Sequence, residues 1–483
     1  LGPVLVKTTR PARTIGALLL LTSATLLFDL YVVIPSLEHW MHSIRDYAYA
    51  GASSPADIAA GLRWTSVLGA SVLFLVPAIL LGPTFALCVR WAELEGVAPG
   101  HAVGRTYLWN SFGSLLAPMV CGFVLMPIFH VTGTWFLLSI MVVPVGIILA
   151  CWKDRHEGHA GRRSALPLML RLSPLLAIGV GALILAMGLP GANAESLVRA
   201  SVIMHDKPER RFIDARTDSV TTASVIEGYI GERYLYTDDF AAAATGRHYR
   251  YMRMLGHLPA VLAKNPENAM VIAFGTGTTA GAVARHPEVK RLEVVEVSPA
   301  VLDLASFFVE ANRDVLEDER VVVVPDDGRN ALLLHEPDLD LITLEPLMPY
   351  APAGYPFYTR EFYELAKARL REGGVLCQWI PVHAMPAGLY AAFLRAFFEV
   401  FPDGSLWFFE QSTALIGRKG TAEPEPELIR TRLEGVADDL RDAGFATPTA
   451  MLSGFLGEGP QVMATPTPPD FAPYADRPLV DMD

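Results

Sequence analysis

The first 192 residues contain five stretches that are apolar over the length that a helix needs to cross a lipid bilayer. A transmembrane helix requires about 20 consecutive apolar residues. Because these stretches recur far beyond the N-terminus, a cleaved signal peptide does not explain them. The sequence therefore predicts a multi-span α-helical membrane domain, which makes the lipid bilayer an expected partner. The five spans are predicted at residues 14–37, 64–89, 106–129, 132–152 and 168–190.

Basic residues near these spans predict the orientation of the chain. Lys7, Arg10 and Arg13 precede the first span. The loop before the fifth span and the start of that span hold Lys153, Arg155, Arg162, Arg163 and Arg171. Short loops rich in lysine and arginine stay on the cytoplasmic side of a membrane. Five spans then carry residues 193–483 to the extracytoplasmic face, whereas one re-entrant segment among the five would reverse that placement.

Charge is distributed unevenly along the chain, and this distribution excludes some partners. Residues 1–192 carry a net charge of +4 and residues 193–483 a net charge of −16, which gives −12 overall. Because nucleic acids require a basic surface, we expect no nucleic-acid partner. The four cysteines form no CxxC pair, and His156 and His159 have no third ligand nearby in the sequence. We therefore expect no metal site and no disulfide framework.

Short apolar runs alternate with helix-forming segments between residues 246 and 420. Strands are predicted at residues 270–274, 292–297, 321–324, 339–344 and 375–380. Helices are predicted at residues 248–262, 279–285, 301–312 and 362–370, the last of them ended by Gly373-Gly374. Strands separated by helices of this length indicate a doubly wound, Rossmann-like α/β sheet.

The segments on either side of this sheet have different patterns. Residues 193–245 contain β-branched and aromatic runs that are interrupted at residues 226–231, which is typical of hairpins in a small antiparallel β-sheet. Residues 421–483 read as a helical segment followed by a proline-rich strap. The predicted fold is thus a multi-span helical membrane domain followed by an α/β domain. Its predicted parts are residues 1–192, 193–245, 246–420 and 421–483.

Glycines and acids follow three successive predicted strands of the α/β domain. Gly275 and Gly277 follow the first strand, Glu296 ends the second, and Asp327 with Gly328 follows the third. The carboxyl ends of parallel strands share one edge of a sheet, where ligands bind. Glycines there allow the backbone close to a ligand, and an acid about 20 residues later suits ribose hydroxyls. The pattern predicts a nucleoside pocket, unless these acids are solvated loop residues.

Five segments of the soluble half and two others carry a family likeness. The five are VIAFGTGTTAG, VVEVSPAVLDLA, DDGRNALL, DLDLITLEP and FYTREFYELAKARLREGGVLCQW. They resemble the aminopropyltransferases typified by spermidine synthase, and more closely the bacterial membrane-fused relatives of that family. Residues 104–129 resemble the last spans of those fusion proteins, and the tail YADRPLV resembles the closing family motif. The resemblance covers most of residues 200–420 and implies a bacterial inner-membrane protein.

The resemblance implies a pocket for decarboxylated S-adenosylmethionine, S-adenosylmethionine or a related thionucleoside. Gly275 and Gly277 would face the methionine-derived part of this cofactor. Glu296 would bind its ribose, and Asp327 with Gly328 its adenine. In that family an acid also deprotonates the attacking amine nitrogen.

The chain departs from the family pattern at three positions. Thr278 stands where the family has the acid of the glycine-rich turn. Met348 replaces the second acid of the D-x-x-D-P motif, and Ala242 replaces the glutamine of the D-G-x-x-Q motif. A diamine is doubly cationic and needs carboxylates around it when buried, so these losses disfavour an ordinary diamine acceptor. Glu345, the acid that remains, is the candidate general base, although it could equally cap a loop. His257 occupies the position of a pocket histidine in the family, whereas a histidine on a helix face is more often structural.

Two functions are consistent with these residues. The first is a membrane-anchored transferase with a non-standard acceptor, which the retained Glu296, Asp327 and Glu345 favour. The second is a catalytically inactive accessory or structural subunit of a membrane protein complex. The predicted extracytoplasmic placement favours the subunit, because thionucleosides are made in the cytoplasm. A transporter is disfavoured because the visible spans show no repeat symmetry.

Overall fold

The protein is described by a computed structural model that covers most of the chain. The described residues are 8, 10–34, 36, 55–152, 210–238, 240–246, 250–349, 354–382, 385, 387–409 and 412–464. The chain divides into two compact units. The first is formed by Leu1–Pro208 with Thr217–Ser219, and the second by Glu209–Arg216 with Val220–Asp483.

The N-terminal unit consists of long apolar helices. Its described helices are α1 (Pro11–Phe28), α2 (Pro55–Leu81), α3 (Thr84–Leu94), α4 (Pro99–Val120) and α5 (Met126–Ala150). A π-helical turn continues α1 over Asp29–Val33, and another continues α4 over Cys121–Leu125. Gly82-Pro83 separates α2 from α3, because a proline cannot donate a helical hydrogen bond and its ring clashes with the preceding turn.

Four helical segments of this unit are long and apolar enough to cross a membrane. They are Pro11–Val33, Val67–Leu94, Pro99–Leu125 and Val131–Ala150. These segments overlap the first four predicted spans. The fifth predicted span, at residues 168–190, lies outside the described residues. The total number of spans, and with it the side of the membrane that carries the second unit, therefore remains a prediction.

Small residues allow α1 and α5 to pack closely. A Cβ atom on Gly16 would lie 2.6 Å from the carbonyl oxygen of Gly146, and a Cβ atom on Gly146 would lie 2.9 Å from Leu20 Cγ. The Ser23 hydroxyl donates a 2.7 Å hydrogen bond to the carbonyl oxygen of Ser139. For helices in a membrane, burying apolar side chains against another helix gains little over contact with lipid tails. Close approach at small residues and hydrogen bonds between helices then favour helix association.

The second unit begins with a small antiparallel sheet. Its strands are β1 (Arg211–Thr217), β2 (Thr222–Glu227), β3 (Arg233–Thr237) and β4 (Phe240–Ala244), in the order β1-β2-β3-β4. A turn through Gly231, whose φ is +84°, joins β2 to β3. Glycine adopts this left-handed conformation without the steric cost that a side chain adds. The predicted small antiparallel sheet is confirmed.

An eight-stranded mixed sheet forms the centre of the second unit. Its strands are β5 (Asn268–Ile272), β6 (Arg291–Val295), β7 (Val321–Val324), β8 (Leu339–Leu344), β9 (Leu370–Ile380), β10 (Ser405–Phe409), β11 (Ser412–Arg418) and β12 (Phe455–Glu458). The spatial order is β12-β10-β11-β9-β8-β5-β6-β7. Neighbours from β7 to β9 pair in parallel. The pairs β9-β11, β11-β10 and β10-β12 are antiparallel.

Helices cover both faces of this sheet. The helices are α6 (Tyr251–Leu262), α7 (Thr278–Ala284), α8 (Pro299–Asp303), α9 (Val309–Asn312), α10 (Gly328–Leu334), α11 (Arg360–Arg369), α12 (Ala387–Val400), α13 (Pro426–Gly435), α14 (Ala437–Asp442) and α15 (Gly459–Met463). Short 3₁₀ turns occupy Ala305–Phe308, Val315–Glu317, Tyr355–Tyr358 and Pro448–Gly454. Consecutive residues of β5 pack into different apolar clusters. Val271 packs with α6 and α7, and Met270 packs with α11 and α12. Side chains of a strand alternate between faces, so the sheet is doubly wound, as the sequence predicts.

The helix predicted over residues 301–312 is broken. The segment forms α8, a 3₁₀ turn at Ala305–Phe308, and α9. The buried side chain of Asn312 explains part of this irregularity. Its amide donates to the carbonyl oxygens of Ala305, at 3.0 Å, and Thr276, at 3.1 Å. A side-chain amide that binds backbone carbonyls competes with regular helix bonding.

The helix predicted over residues 362–370 ends earlier than expected. Helix α11 stops at Arg369, and β9 begins at Leu370, so Gly373-Gly374 lies inside a strand and does not end the helix. Gly373 has a φ of +84°. Its N–H donates to the Lys419 carbonyl at 2.8 Å, and the Lys419 N–H donates to the Gly374 carbonyl at 3.0 Å. The glycines therefore form an irregular extension of the β9-β11 ladder, in keeping with the role of glycine in strands.

The main sheet also takes a strand from the segment after residue 420. Strand β12 pairs with β10 in the antiparallel sense, and α13 and α14 lie between β11 and β12 along the chain. The sequence assigned this segment to helices and a strap. The proline-rich stretch after residue 464 and the YADRPLV tail lie outside the described residues.

Candidate active site

One large cavity lies at the carboxyl ends of the parallel strands. Its volume is about 900 Å³, within the range of small-molecule sites. It is bordered by the residues that follow β5, β6, β7 and β8 and by the β3-β4 hairpin. Five of the six residues predicted for the site line it, namely Gly275, Glu296, Asp327, Gly328 and Glu345. The strand-end argument therefore brings the predicted acids to one place.

The turn after β5 approaches the cavity through backbone with left-handed conformation. Ala273, Gly275 and Gly277 have φ angles of +69°, +56° and +79°. Gly275 lines the cavity, and a Cβ atom there would lie 3.3 Å from the Ala243 Cβ. Gly277 is not among the described residues that line it. A Cβ atom on Gly277 would lie 2.4 Å from the Phe274 ring, so this glycine serves the packing beneath the turn.

Glu296 holds the same turn from the neighbouring strand. Its Oε2 accepts a hydrogen bond from the Phe274 N–H at 2.9 Å, and its Oε1 accepts one from the Ser298 N–H at 3.0 Å. Burial raises the pKa of Glu296, and these backbone N–H groups oppose that rise by stabilising the charged form. A carboxylate oxygen has two lone pairs. Glu296 can therefore fix the turn and still accept a hydrogen bond from a ligand hydroxyl.

Asp327 caps helix α10 at the edge of the cavity. Its Oδ1 accepts from the backbone N–H groups of Arg329, at 3.0 Å, and Asn330, at 3.1 Å. The preceding acid, Asp326, also lines the cavity and accepts from the Asn330 side chain at 2.7 Å. Asp327 is exposed, so one face of its carboxylate remains open to a ligand while the other begins the helix.

Gly328 is required by close packing beneath the cavity. A Cβ atom at this position would lie 2.2 Å from Ile272 Cγ2 and 3.2 Å from the Phe357 ring. Ile272 ends β5, and Phe357 belongs to the 3₁₀ turn before α11. Both side chains also line the cavity. A larger residue at position 328 would therefore change the shape of the floor on which a ligand rests.

Glu345 follows β8 and is paired with a tyrosine. The Tyr251 hydroxyl donates a 2.6 Å hydrogen bond to Glu345 Oε1. Burial raises the pKa of Glu345 to about 8, and the tyrosine hydrogen bond opposes that rise. A carboxyl group with such a pKa exchanges a proton near neutral pH, which is what general acid–base chemistry requires.

Two aromatic residues of this region were not predicted from the sequence as part of the site. The ring of Tyr251 stacks on that of Trp379, with centroids 6.1 Å apart and planes inclined by 13°. Tyr251 opens helix α6, and Trp379 lies near the end of β9 at the same edge as Glu345. Extending the strand-end argument from β7 to β9 would have pointed to Trp379. Tyr251, its stacking partner, lies on a helix and follows no strand, so the strand-end pattern does not point to it.

The positions of the three family departures also border the cavity. The Thr278 and Thr276 hydroxyls are 2.7 Å apart and hydrogen-bonded, and both residues are buried in the turn after β5. Met348 and Ala242 line the cavity as well. Within the described residues, an uncharged turn and apolar side chains thus stand where the family pattern has two acids and an amide.

His257 lies outside the cavity, in a buried network. Its Nδ1 is 3.0 Å from His286 Nε2, and its Nε2 is 2.8 Å from Asp439 Oδ2. Burial lowers the pKa of both histidines. The structural interpretation of His257 therefore fits its position, because the network joins α6, the turn after α7, and α14. Among the described residues, no group of three possible ligands is placed to hold a metal ion.

Comparison with known proteins supports one family. Residues 248–383 match the family model described as Spermine/spermidine synthase domain. The polyamine aminopropyltransferase of Thermoanaerobacter sp. (strain X514) is 24% identical over 198 residues, which is 38% of this chain and 71% of that protein. The spermidine synthase of Dictyostelium discoideum is 24% identical over 273 residues, which is 54% of this chain and 91% of that protein.

Two further similarities are to a curated relative and to a solved structure. The polyamine aminopropyltransferase of Nitrosomonas europaea is 32% identical over 154 residues, which is 31% of this chain and 46% of that protein. Among solved structures, the spermidine synthase from Thermotoga maritima is 18% identical, with a TM-score of 0.43, and the match covers 53% of this chain and 88% of that one. The family model and the curated relatives therefore agree that residues 248–383 resemble a spermidine synthase domain.

Proposed function

We propose that this protein is a membrane-anchored aminopropyltransferase that uses decarboxylated S-adenosylmethionine and an amine acceptor other than an ordinary diamine. The observation that carries the proposal is the position of Glu345. This carboxyl, whose pKa is raised to about 8, borders the same cavity as Gly275, Glu296 and Asp327. A proton acceptor and a nucleoside-type set of groups in one cavity are what such a transfer requires.

The donor side of the cavity fits a thionucleoside. Gly275 lets the backbone approach the methionine-derived chain, because this position has a left-handed φ and carries no side chain. Glu296 has lone pairs for ribose hydroxyls, and Asp327 presents an open carboxylate to an adenine amine. When bound, the donor supplies a methylene carbon that its neighbouring sulfonium makes electrophilic.

Glu345 is suited to take the proton from the attacking nitrogen. Its Oε1 is held by the Tyr251 hydroxyl, which fixes the orientation of the carboxyl. Because burial keeps its pKa near 8, the group is a stronger base than an exposed glutamate, with a pKa near 4.3. The stacked Tyr251 and Trp379 rings are almost fully buried and exclude water from one side of the Tyr251–Glu345 hydrogen bond.

The inactive accessory subunit receives no support from the site. The cavity is open and retains the three acids that transfer would use. Membership of a larger membrane protein complex remains a separate proposal. Purification of the full chain in mild detergent, followed by light scattering, would show copurifying subunits if such a complex exists.

The membrane placement is also part of the proposal. Four apolar helices support anchoring, which we assign to the bacterial inner membrane. The basic loops favour an extracytoplasmic second unit, and a single re-entrant segment would instead put the cavity on the side where thionucleosides are made. Gly435 is exposed, and a Cβ atom there would have no neighbour within 4 Å. The parent chain has four cysteines of its own, so its labelling is the baseline. Labelling of a Gly435→Cys variant above this baseline by an impermeant maleimide in spheroplasts indicates the extracytoplasmic face, and additional labelling only after lysis contradicts it.

Donor binding and transfer test the catalytic proposal separately. Calorimetric titration of the detergent-solubilised full chain should show binding of decarboxylated S-adenosylmethionine and methylthioadenosine. Absence of binding at millimolar concentration contradicts the proposal. A Glu345→Gln variant should bind the donor normally and release methylthioadenosine at least ~100-fold more slowly in the presence of an amine. Glu364→Gln, on the exposed face of α11, is the matched control and should leave both properties unchanged.

A further inference from the structure

We propose that the acceptor of this site is a primary monoamine on an apolar chain, with a single cationic centre, and that Met348 is the residue that sets this preference. The inference rests on the proposed transferase function and names the class of acceptor. It is carried by the groups that the structure places on the β8-β9 side of the cavity, beside Glu345.

The first step concerns the acids that border the cavity. Of the described residues that follow β8 and β9 and line it, Glu345 is the single acid. Glu296, Asp326 and Asp327 follow β6 and β7, across the central strand β5. Each of these three binds backbone N–H groups. Asp238, in the β3-β4 turn, is exposed and accepts a backbone N–H at 3.0 Å.

The second step concerns the charge that this arrangement can neutralise. One carboxylate balances one ammonium, and a second ammonium on the same buried molecule would lose its hydration without a partner charge. Among the described residues, the polar contact of Glu345 is the Tyr251 hydroxyl, and this hydroxyl already donates its proton to Oε1. It therefore adds no negative charge beside Glu345.

The third step concerns the walls around Glu345. Leu347 and Met348 follow it along the chain, Ala241 and Ala242 face the cavity from β4, and Leu235 does so from β3. The stacked rings of Tyr251 and Trp379 form a further apolar wall. Such walls favour an alkyl or aromatic chain, because each methylene removed from water contributes roughly 0.8 kcal/mol. They offer no carboxylate to a distal ammonium.

The reaction that follows is balanced without any further reagent. The acceptor nitrogen forms a bond to the donor methylene, and the carbon–sulfur bond breaks. The sulfur leaves with the electron pair as the neutral thioether of methylthioadenosine. The nitrogen loses one proton to Glu345, and solvent receives it afterwards. The product is an N-(3-aminopropyl) alkylamine.

A pair of acceptors of equal length tests the inference. Hexylamine and 1,6-diaminohexane differ only by the second ammonium, and methylthioadenosine release gives kcat/KM for each with the full-length protein. We expect hexylamine to exceed 1,6-diaminohexane by about 10-fold or more, because of the cost of burying an unpaired ammonium. Mass spectrometry should identify the N-(3-aminopropyl) product. A preference for the diamine overturns this inference and leaves the transferase proposal standing, whereas donor binding without transfer to either amine contradicts the transferase proposal itself.

Variants at the apolar wall give the inference a second test. Met348→Asp should shift the ratio of the two kcat/KM values toward 1,6-diaminohexane by about 10-fold, since it supplies a second carboxylate, and Met348→Leu should not shift it. Donor titration shows whether each variant is folded. If Met348→Asp fails to bind the donor, Ala242→Glu takes its place. A folded variant with an added acid and an unchanged ratio contradicts the assignment of specificity.

Discussion

The Tyr251 hydroxyl donates to Glu345 Oε1 at 2.6 Å, and this contact joins the start of α6 to the end of β8 across 94 residues of sequence. Burial raises the pKa of Glu345 to about 8, and the tyrosine limits the rise because its hydrogen bond stabilises the charged carboxylate. The two residues therefore form one unit in which the tyrosine sets the basicity of the carboxyl.

Removal of the tyrosine hydroxyl should move the pH dependence of transfer. In Tyr251→Phe the carboxylate loses its donor, so its pKa rises above about 8. Because the deprotonated carboxyl is the active form, the rising limb of kcat/KM against pH should move to higher pH. Tyr229→Phe, at a position that is 82% exposed, should leave the limb in place. A limb that is unmoved or shifted to lower pH in Tyr251→Phe would show that Glu345 does not govern transfer.

Substitution of Gly328 should impair the cavity floor. A Cβ atom there would lie 2.2 Å from Ile272 Cγ2, and overpacking of a buried site costs about 1–3 kcal/mol. Gly328→Ala should therefore lower the thermal unfolding midpoint and weaken methylthioadenosine binding in a calorimetric titration. Gly435→Ala is the control, because that position is exposed and has open space around it. Equal midpoints and affinities in the two variants would contradict the packing argument.

Strand periodicity and strand ends predicted the sheet and the place where its acids meet. Glu296, Asp327 and Glu345 each come shortly after a strand, and parallel strands end at one edge, so local sequence carries the information. The pairing of Tyr251 with Trp379 depends on residues 128 positions apart in different elements. No periodicity encodes such a contact, which arises only when α6 packs on the sheet.

Element boundaries failed where tertiary hydrogen bonds overrode local preference. Gly373 resembles a helix terminator in sequence, yet its backbone bonds to Lys419 and continues β9. The pattern of residues 301–312 predicts one helix, yet the buried Asn312 amide donates hydrogen bonds to the carbonyl oxygens of Ala305 and Thr276. Both errors involve partners distant in sequence, which local propensity cannot include.

The buried histidine pair should contribute stability to the second unit that is lost in mild acid. Burial lowers the pKa of His257 and His286 from 6.5, so the unfolded chain binds protons that the folded chain does not. The contribution of the pair to stability is therefore complete above pH 6.5 and is lost as the pH falls below that value, whereas Glu345, whose pKa is raised to about 8, contributes in the opposite direction. The effect of Asp439, a carboxyl with a depressed pKa, enters only at lower pH, below about 3.9.

Thermal unfolding of the detergent-solubilised full chain at pH 7.5 and pH 5.5 checks this prediction. His286→Gln keeps an N–H donor toward His257 and removes one titrating ring. On going from pH 7.5 to pH 5.5, its midpoint should therefore change less unfavourably than the wild-type midpoint. Both proteins retain Glu345, so the comparison cancels the opposite contribution of that residue. His101→Gln, at an exposed position of α4, is the control and should respond to pH as the wild type does. An equal pH response of the wild type and His286→Gln would contradict the prediction.

A charge placed in the turn after β5 should change donor selectivity. Thr278 is buried, borders the cavity, and hydrogen-bonds to the Thr276 hydroxyl at 2.7 Å. If the turn faces the aminopropyl end of the donor, Thr278→Asp adds a carboxylate beside its ammonium. The same carboxylate would repel the carboxylate of S-adenosylmethionine. The ratio of the two affinities should therefore shift by about 10-fold toward the decarboxylated donor. Thr278→Asn matches the size without the charge and should leave the ratio unchanged. An equal shift in both variants would mean that the turn lies away from the donor's amine.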